Sequence, residues 1–157
     1  MPKWTVNRGA YDAMASGAGR IEVALTEQRL RLLDENGRTV IKPDCSTGMA
    51  EKETPKGEFE ILEKIQDKRS DLYGSYVSES TGEVLEPRSW LVPRPPGSRF
   101  VGTEMPYWMR ITWTGVGIHV GRFHRGRRTS MGCIRMPSEV QPLIFAKSKV
   151  GMRVVVK

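Results

Sequence analysis

The chain has 157 residues, 38% of them hydrophobic and 27% charged, with a formal net charge of +7. That length and apolar content suit one folded domain with its own core, so disulfide or metal staples are not required and a mainly disordered chain is excluded. No apolar run approaches the roughly 20 residues of a membrane-crossing helix, and the charge asks for an anionic partner, whether nucleic acid, membrane surface or anionic polymer.

Cys45 and Cys133 lie far apart and in no CxxC pair, so neither a zinc ribbon nor a disulfide scaffold is suggested, although a single bridge between them is open. The start, Met1-Pro2-Lys3-Trp4, has no basic region followed by an apolar stretch, so the sequence shows no secretory leader; the protein is either cytoplasmic or trimmed.

Residues 1–19, rich in Ala, Gly and Ser without a sustained period, read as a loosely held arm. From Arg20 the pattern is that of strands. Ile21, Val23 and Leu25 alternate with Glu22 and Ala24, and Leu30 and Leu32 alternate with Arg29 and Arg31. Asn36-Gly37 is hairpin-turn chemistry and Val40-Ile41 resumes the extended run, giving an antiparallel meander. Ser46-Thr47-Gly48 ends it, Thr54-Pro55-Lys56-Gly57 is a turn, and Glu58–Leu62 starts another strand. Residues 66–100, with four prolines and scattered Tyr73, Tyr76 and Trp90, read as an irregular insertion and a surface excursion, a hairpin with a lid. Strands return at Trp108–Trp113 and Val116–His119. Ser138 and Gln141 fit a capping box for a short helix bearing Val140, Leu143 and Ile144, and Met152–Val156 closes the chain as a strand. The expected fold is mainly β, a single-domain sandwich or barrel with one or two short helices.

The candidate chemistry lies between Gly117 and Arg135. A thiol becomes a nucleophile when a base takes its proton or when positive surroundings favour the thiolate, and this stretch holds both kinds of group. His119 ends an apolar strand, and Cys133 follows after a loop containing Arg122, Arg125, Arg127 and Arg128. Gly132 lets the backbone turn tightly and aim its N–H, with that of Cys133, at a developing oxyanion. Taken singly, the cysteine is more often a small packing residue and the histidine more often structural. The Ser130-Met131-Gly132-Cys133 turn brings the catalytic and packing readings level, because a packing cysteine needs neither a flanking glycine nor a hydroxyl. Acyl transfer through a thioester is the reaction these groups suit.

The stretch Ser130–Met136, preceded by Gly117-Ile118-His119, resembles the active-site signature of the L,D-transpeptidase catalytic domain, a family that cross-links bacterial peptidoglycan. Agreement extends in order through Ile21–Leu33, Ser46-Thr47-Gly48, Thr54–Phe59, Met105–Met109 and Gly151–Val156, so the resemblance covers roughly residues 20–157 as one catalytic domain. It implies that Cys133 attacks the carbonyl of the third residue of a stem tetrapeptide, typically meso-diaminopimelate, expelling D-alanine and leaving a thioester. His119 would serve as base, first toward the thiol and then toward the amine of a second stem, giving a 3-3 cross-link; water as acceptor makes the same site an L,D-carboxypeptidase. The N–H groups of Met131, Gly132 and Cys133 would form the oxyanion hole, the Val120 carbonyl would orient His119, and Ser130 would hold the turn. Arg135, His124, Tyr107 and Trp108 are candidates for contact with substrate. No cofactor or metal is implied, carbapenem-type inhibitors are expected to bind, and the substrate lies outside the cytoplasm, in the periplasm or wall.

This chain departs from the family pattern at Met131, where His is usual, at Val120, where Gly is usual, and in a short, arginine-rich loop from His119 to Cys133. Two other readings compete. Arg122, Arg125, Arg127 and Arg128 with Phe123 and His124 could track nucleic-acid phosphates, and His119, His124 and Cys133 could hold a metal without any paired-ligand spacing to support it. Cys45 reads as a packing residue. Between Met105 and Ser138 there are six arginines and no acidic residue, so this stretch carries +6 and the remainder 7 − 6 = +1. That concentration is expected to hold Cys133 as thiolate and to attract stem carboxylates rather than nucleic acid.

Overall fold

A computed structural model describes all 157 residues. The chain divides into two compact units, residues 1–66 with 107–157, and residues 67–106.

In the first unit, the alternating apolar residues form β2 (Arg20–Ala24) and β3 (Arg29–Leu33), paired so that Ile21 meets Leu32 and Val23 meets Leu30, all four fully buried. The Asn36-Gly37 turn forms as expected. Gly37 takes φ +78, and the Asp34 carboxylate accepts the N–H groups of Asn36 and Arg38, delivering the chain into β4 (Thr39–Pro43). With β1 (Trp4–Val6), β5 (Gly57–Glu60) and the closing β11 (Arg153–Val156) these strands make a sheet in the order β1-β4-β3-β2-β11-β5. β11 runs parallel to β2 and antiparallel to β5, tying the end of the chain into the middle of the sheet.

A second sheet contributes β8 (Ser98–Arg110), β9 (Gly117–Val120) and β10 (Ile134–Met136) to this unit, in the order β10-β9-β8. The core joins Ile21, Val23, Leu30, Leu32, Val154 and Val156 of the first sheet to Met109, Ile118, Ile134 and Met136 of the second. Helix α2 (Gln141–Lys147) adds Val140 and Ile144 to it. The fold is thus mainly β with two sheets and two short helices, as the strand periodicity predicts.

Three readings are corrected. Residues 1–19 are not loosely held. β1 pairs with β4, and helix α1 (Arg8–Ala13), capped by the Asn7 side chain on the Ala10 N–H, buries Ala10 and Met14 in the core. The capping box at Ser138 does not form; α2 has no side-chain cap, and the Gln141 amide turns to the Tyr107 carbonyl at 2.9 Å. Residues 66–100 are not irregular throughout: 66–78, 84–86 and 98–100 are strand, and 79–83 and 87–97 are the irregular part.

In the second unit, residues of β6 (Glu63–Ser78) and β8 run with β7 (Val84–Glu86) in the order β8-β6-β7. The glycines that suggest breaks sit where two backbones approach. A Cβ on Gly74 would lie 2.2 Å from the Val101 carbonyl oxygen, and one on Gly102 would lie 2.1 Å from that of Ser70. Edge-to-face pairs Tyr73–Trp90 (5.1 Å) and Tyr76–Phe100 (6.2 Å) account for the scattered aromatics.

Candidate active site

β9 is the centre of the site. It pairs in parallel with β10, His119 opposite Arg135 and Ile118 opposite Ile134, and antiparallel with β8, Gly117 opposite Arg110 and Ile118 opposite Met109. Side chains alternate across a sheet. Met109, Ile118, Ile134 and Met136 accordingly all turn into the core, where each is fully buried. The opposite face carries Trp108 and Arg110 from β8, Gly117 and His119 from β9, and Arg135 from β10. Cys133, one residue ahead of β10, extends that face, and its Sγ–H donates to the Gly115 carbonyl at 3.5 Å. Parallel neighbours require a long crossover, usually a helix. Here residues 121–133 supply it without one, so the chain passes from base to thiol through an irregular loop.

That loop is held by a ladder to the strand end at Ser46. Ser46 and Arg135 exchange backbone hydrogen bonds (3.0 and 2.8 Å), the Ser130 N–H donates to the Thr47 carbonyl (3.1 Å), and the Met49 N–H donates to the Ser130 carbonyl (3.0 Å). The Ser46 hydroxyl donates to the Arg127 carbonyl (2.5 Å) and accepts from the Thr129 N–H (3.0 Å). Thr54, 3% exposed, clamps the turn from beneath: its Oγ1 accepts the Gly48 N–H (2.9 Å) and donates to the Gly132 carbonyl (2.7 Å). Within the turn, the Ser130 hydroxyl donates to the Cys133 carbonyl and accepts the Gly132 N–H. Gly132 takes φ +121, a conformation L side chains rarely adopt, so the glycine is a requirement of the turn. Its N–H faces Ser130, which leaves the N–H groups of Met131 and Cys133 as the candidate oxyanion donors.

His119 is 6% exposed and its Nδ1 lies 2.7 Å from the Val120 carbonyl oxygen. A carbonyl only accepts, so the proton is on Nδ1 and the lone pair is at Nε2. Burial pushes the imidazole pKa down to about 4, with the Val120 carbonyl opposing and the Arg135 charge adding to the fall. Beneath it Trp108, 1% exposed, lies 5.9 Å from the imidazole ring and donates Nε1–H to the Glu63 carboxylate at 3.1 Å. Gly117 makes room for that indole, since a Cβ there would sit 2.5 Å from Cη2 of Trp108.

Arg135 and Arg110 favour the thiolate, as the sequence suggests, but burial outweighs them. Burial raises the Cys133 thiol above its ordinary value, and the Gly117 backbone, Arg135 and Arg110 oppose that rise without cancelling it, so the resting group is a thiol rather than the expected thiolate. Several arginines instead hold structure. Arg125 pairs with buried Asp44 at 2.9 Å, Arg128 donates to the Leu25 carbonyl, Arg110 pairs with Glu63 at 3.2 Å, and Arg135 reaches Thr129 and the Arg122 carbonyl.

His124 is exposed in the loop, where its carbonyl closes a turn on Arg127. Tyr107, at φ +56, packs edge-on against Phe145 of α2 at 5.3 Å, and Trp108 is a buried support rather than an open wall. Cys45 is fully buried and not bridged to Cys133, its thiol pushed up to about 12 by burial. No group of three or more His, Cys, Asp or Glu side chains is placed to hold a metal ion. Sequence reasoning missed Thr54, Gln28, Asp44 and Glu63, whose side chains reach Gly132, Thr47, Arg125 and Trp108, each distant in sequence.

A family model for the L,D-transpeptidase catalytic domain, YkuD, matches residues 18–156. The chain belongs to this family. Its members act on peptidoglycan, and the family resemblance of the Ser130–Met136 signature is thereby confirmed. Among solved structures, this L,D-transpeptidase domain is similar to an L,D-transpeptidase from Mycobacterium smegmatis, at 20% identity and TM-score 0.67 over 89% of this chain and 58% of that one. It is similar to the catalytic domain of the Enterococcus faecium L,D-transpeptidase, at 25% identity and TM-score 0.63 over 88% and 96% of the two chains. It is also similar to LdtMt1, solved in complex with imipenem, at 19% identity and TM-score 0.65 over 89% and 59%. The chain spans about half to three fifths of the length of the first solved structures it matches. No curated protein matches it.

Proposed function

We propose that this domain is a cysteine-dependent L,D-transpeptidase acting on peptidoglycan stem peptides of the meso-diaminopimelate type. The observation that carries the reading is the placement of Cys133 and His119 on one face of adjacent parallel strands, with the imidazole lone pair at Nε2. Both groups are neutral at rest, so the chemistry is general-base catalysis rather than attack by a preformed thiolate. Nε2 of His119 takes the Sγ proton as sulfur attacks the carbonyl of the third stem residue. The N–H groups of Met131 and Cys133 receive the developing oxyanion. Collapse breaks the amide bond, the imidazolium returns its proton to the departing D-alanine nitrogen, and a thioester remains. An incoming stem amine then loses its proton to His119 as it attacks the thioester carbonyl, the C–S bond breaks, and the imidazolium returns the proton to Sγ of Cys133, giving a 3-3 cross-link and the free thiol; water in its place gives L,D-carboxypeptidase activity.

This activity belongs outside the cytoplasm, in the periplasm or wall, where peptidoglycan is assembled. No helix is long and apolar enough to cross a membrane. A carbapenem is the natural covalent probe, since its strained amide presents the same carbonyl chemistry, and a relative has been solved with imipenem. Intact-mass measurement after incubation with imipenem or a tetrapeptide muropeptide tests the reading. One adduct per chain is expected, absent in Cys133→Ala. No adduct in the wild type, or one that persists in Cys133→Ala, refutes it.

A further inference from the structure

The face that carries Cys133 and His119 is bordered by a guanidinium on each side, and the one on β8, Arg110, has so far been given only its pairing with Glu63. Arg110 stands opposite Gly117, a position with no side chain of its own, over which the Trp108 indole lies with the Arg110 guanidinium stacked against it. Its guanidinium is fixed in three ways. It lies 5.3 Å from the Trp108 ring and 5.5 Å from the exposed Trp113 ring, both within cation–π range. Its Nε donates to Glu63, and Nη1 donates to the Thr112 carbonyl at 3.3 Å. The turn that follows, through Gly115, is the one whose carbonyl receives the Cys133 thiol, and the Arg110 charge is felt at the sulfur.

We infer that Arg110 binds the free terminal carboxylate of the residue that leaves, and so selects stems ending in an uncapped amino acid. This rests on the transpeptidase reading of Cys133 and His119. The direction follows from the strand order. His119 must protonate the leaving nitrogen, so the leaving residue extends from Cys133 on the β10 side across β9. The next strand in that direction is β8, about 10 Å from β10 at two strand spacings. The leaving residue's carboxylate lies one residue beyond the scissile carbonyl, which places it toward the planar fork of Arg110. Arg135, on the far side of the thiol, is turned to Thr129 and the Arg122 carbonyl and faces the acyl half of the donor. A leaving group without a charge leaves the Arg110 guanidinium to Glu63 and Thr112 and gains no charge-assisted hydrogen bond from it, which is the source of discrimination.

The test compares one synthetic tetrapeptide stem in two forms, with a free C-terminal carboxylate and with a C-terminal carboxamide, by release of D-alanine or D-alaninamide. The wild type is expected to favour the free acid in kcat/KM by roughly 10- to 100-fold, the range of a charge-assisted hydrogen-bonded pair. In Arg110→Gln the ratio is expected to collapse toward one, and Arg110→Lys, which keeps the charge without the fork, to lie between. Stoichiometric imipenem adduct at Cys133 reports that the variants retain a working thiol site. A wild type that cleaves both stems equally overturns the assignment without any variant. An Arg110→Gln enzyme that forms the adduct yet keeps the wild-type ratio overturns it for Arg110 alone. A wild type that forms no adduct overturns the transpeptidase reading and this inference with it.

Discussion

Thr54→Val separates one hydroxyl from everything else in the site. Valine has the same shape, so no cavity forms; what disappears is an Oγ1 that accepts the Gly48 N–H at 2.9 Å and donates to the Gly132 carbonyl at 2.7 Å. Thr54 is 3% exposed, so water cannot readily take its place. One donor and one acceptor are left unsatisfied at about 1–3 kcal/mol each, and the expected loss is roughly 2–6 kcal/mol. For a chain of this size that lowers Tm by roughly 4–24 °C. Because the Gly132 carbonyl belongs to the residue just before the nucleophile, the variant is also expected to acylate with imipenem at least about 10-fold more slowly under conditions where it is fully folded, the scale of a misplaced reacting group. Urea unfolding and stopped-flow acylation measure the two effects, and Thr54→Ser should restore both. Stability within about 0.5 kcal/mol of wild type refutes the account of the clamp, since that is the range of an inconsequential surface change. Lost stability with an unchanged acylation rate refutes its link to the chemistry.

Gly117→Ala puts a methyl 2.5 Å from Cη2 of Trp108 and 2.8 Å from the Met109 carbonyl oxygen. Destabilisation of about 1–3 kcal/mol, read by denaturant unfolding, should accompany slowed acylation as the indole under His119 shifts. His119→Ala should keep its fold by circular dichroism and lose acylation, and in the wild type the acid limb of acylation should fall near pH 4 rather than 6.5. The same depressed pKa acts on stability: between pH 6.5 and about 4 the unfolded chain binds a proton that native His119 refuses, so acid should remove up to roughly 3 kcal/mol that His119→Gln retains, and parallel pH profiles for the two proteins would contradict this. Iodoacetamide at neutral pH should label Cys133 slowly, with a rate that keeps rising above the ordinary thiol range, and leave Cys45 untouched until unfolding; rapid labelling of Cys133 at neutral pH, followed by mass spectrometry, would mean a thiolate is present at rest.

The strands most visible in the sequence are those with one buried face. Ile21, Val23, Leu30 and Leu32 announce β2 and β3 because alternation is a local signal, and Asn36-Gly37 announces their neighbour's turn for the same reason. Helix α1 is invisible because its six residues include Gly9 and show no apolar stripe; it forms because Asn7 caps it and the Tyr11 hydroxyl donates to the Leu143 carbonyl at 3.0 Å. Gly74 and Gly102 give no local signal of what they do, which is to admit a facing carbonyl that only a residue without a Cβ can accept so closely. At the site, Cys133 and His119 are legible as chemistry, whereas the role of the arginines is not, because charge counted along a chain does not say which guanidiniums meet carboxylates. Buried Asp44 accepts from Arg29, Arg125 and the Lys3 N–H, and each of those contacts spans 15 or more residues.

The helix-free crossover between β9 and β10 separates two tasks that most parallel pairs combine. A crossover helix packs along the sheet, so its length and apolar face are fixed by the core. Here the distance between base and nucleophile is set by strand register and by the ladder to Ser46–Met49, while the tip of the loop around His124–Arg127 is exposed. His124 is therefore a place where a residue can be exchanged to meet a different acceptor while the spacing of thiol and imidazole stays as it is, provided the Arg125–Asp44 pair and the Ser46–Arg127 hydrogen bond are kept.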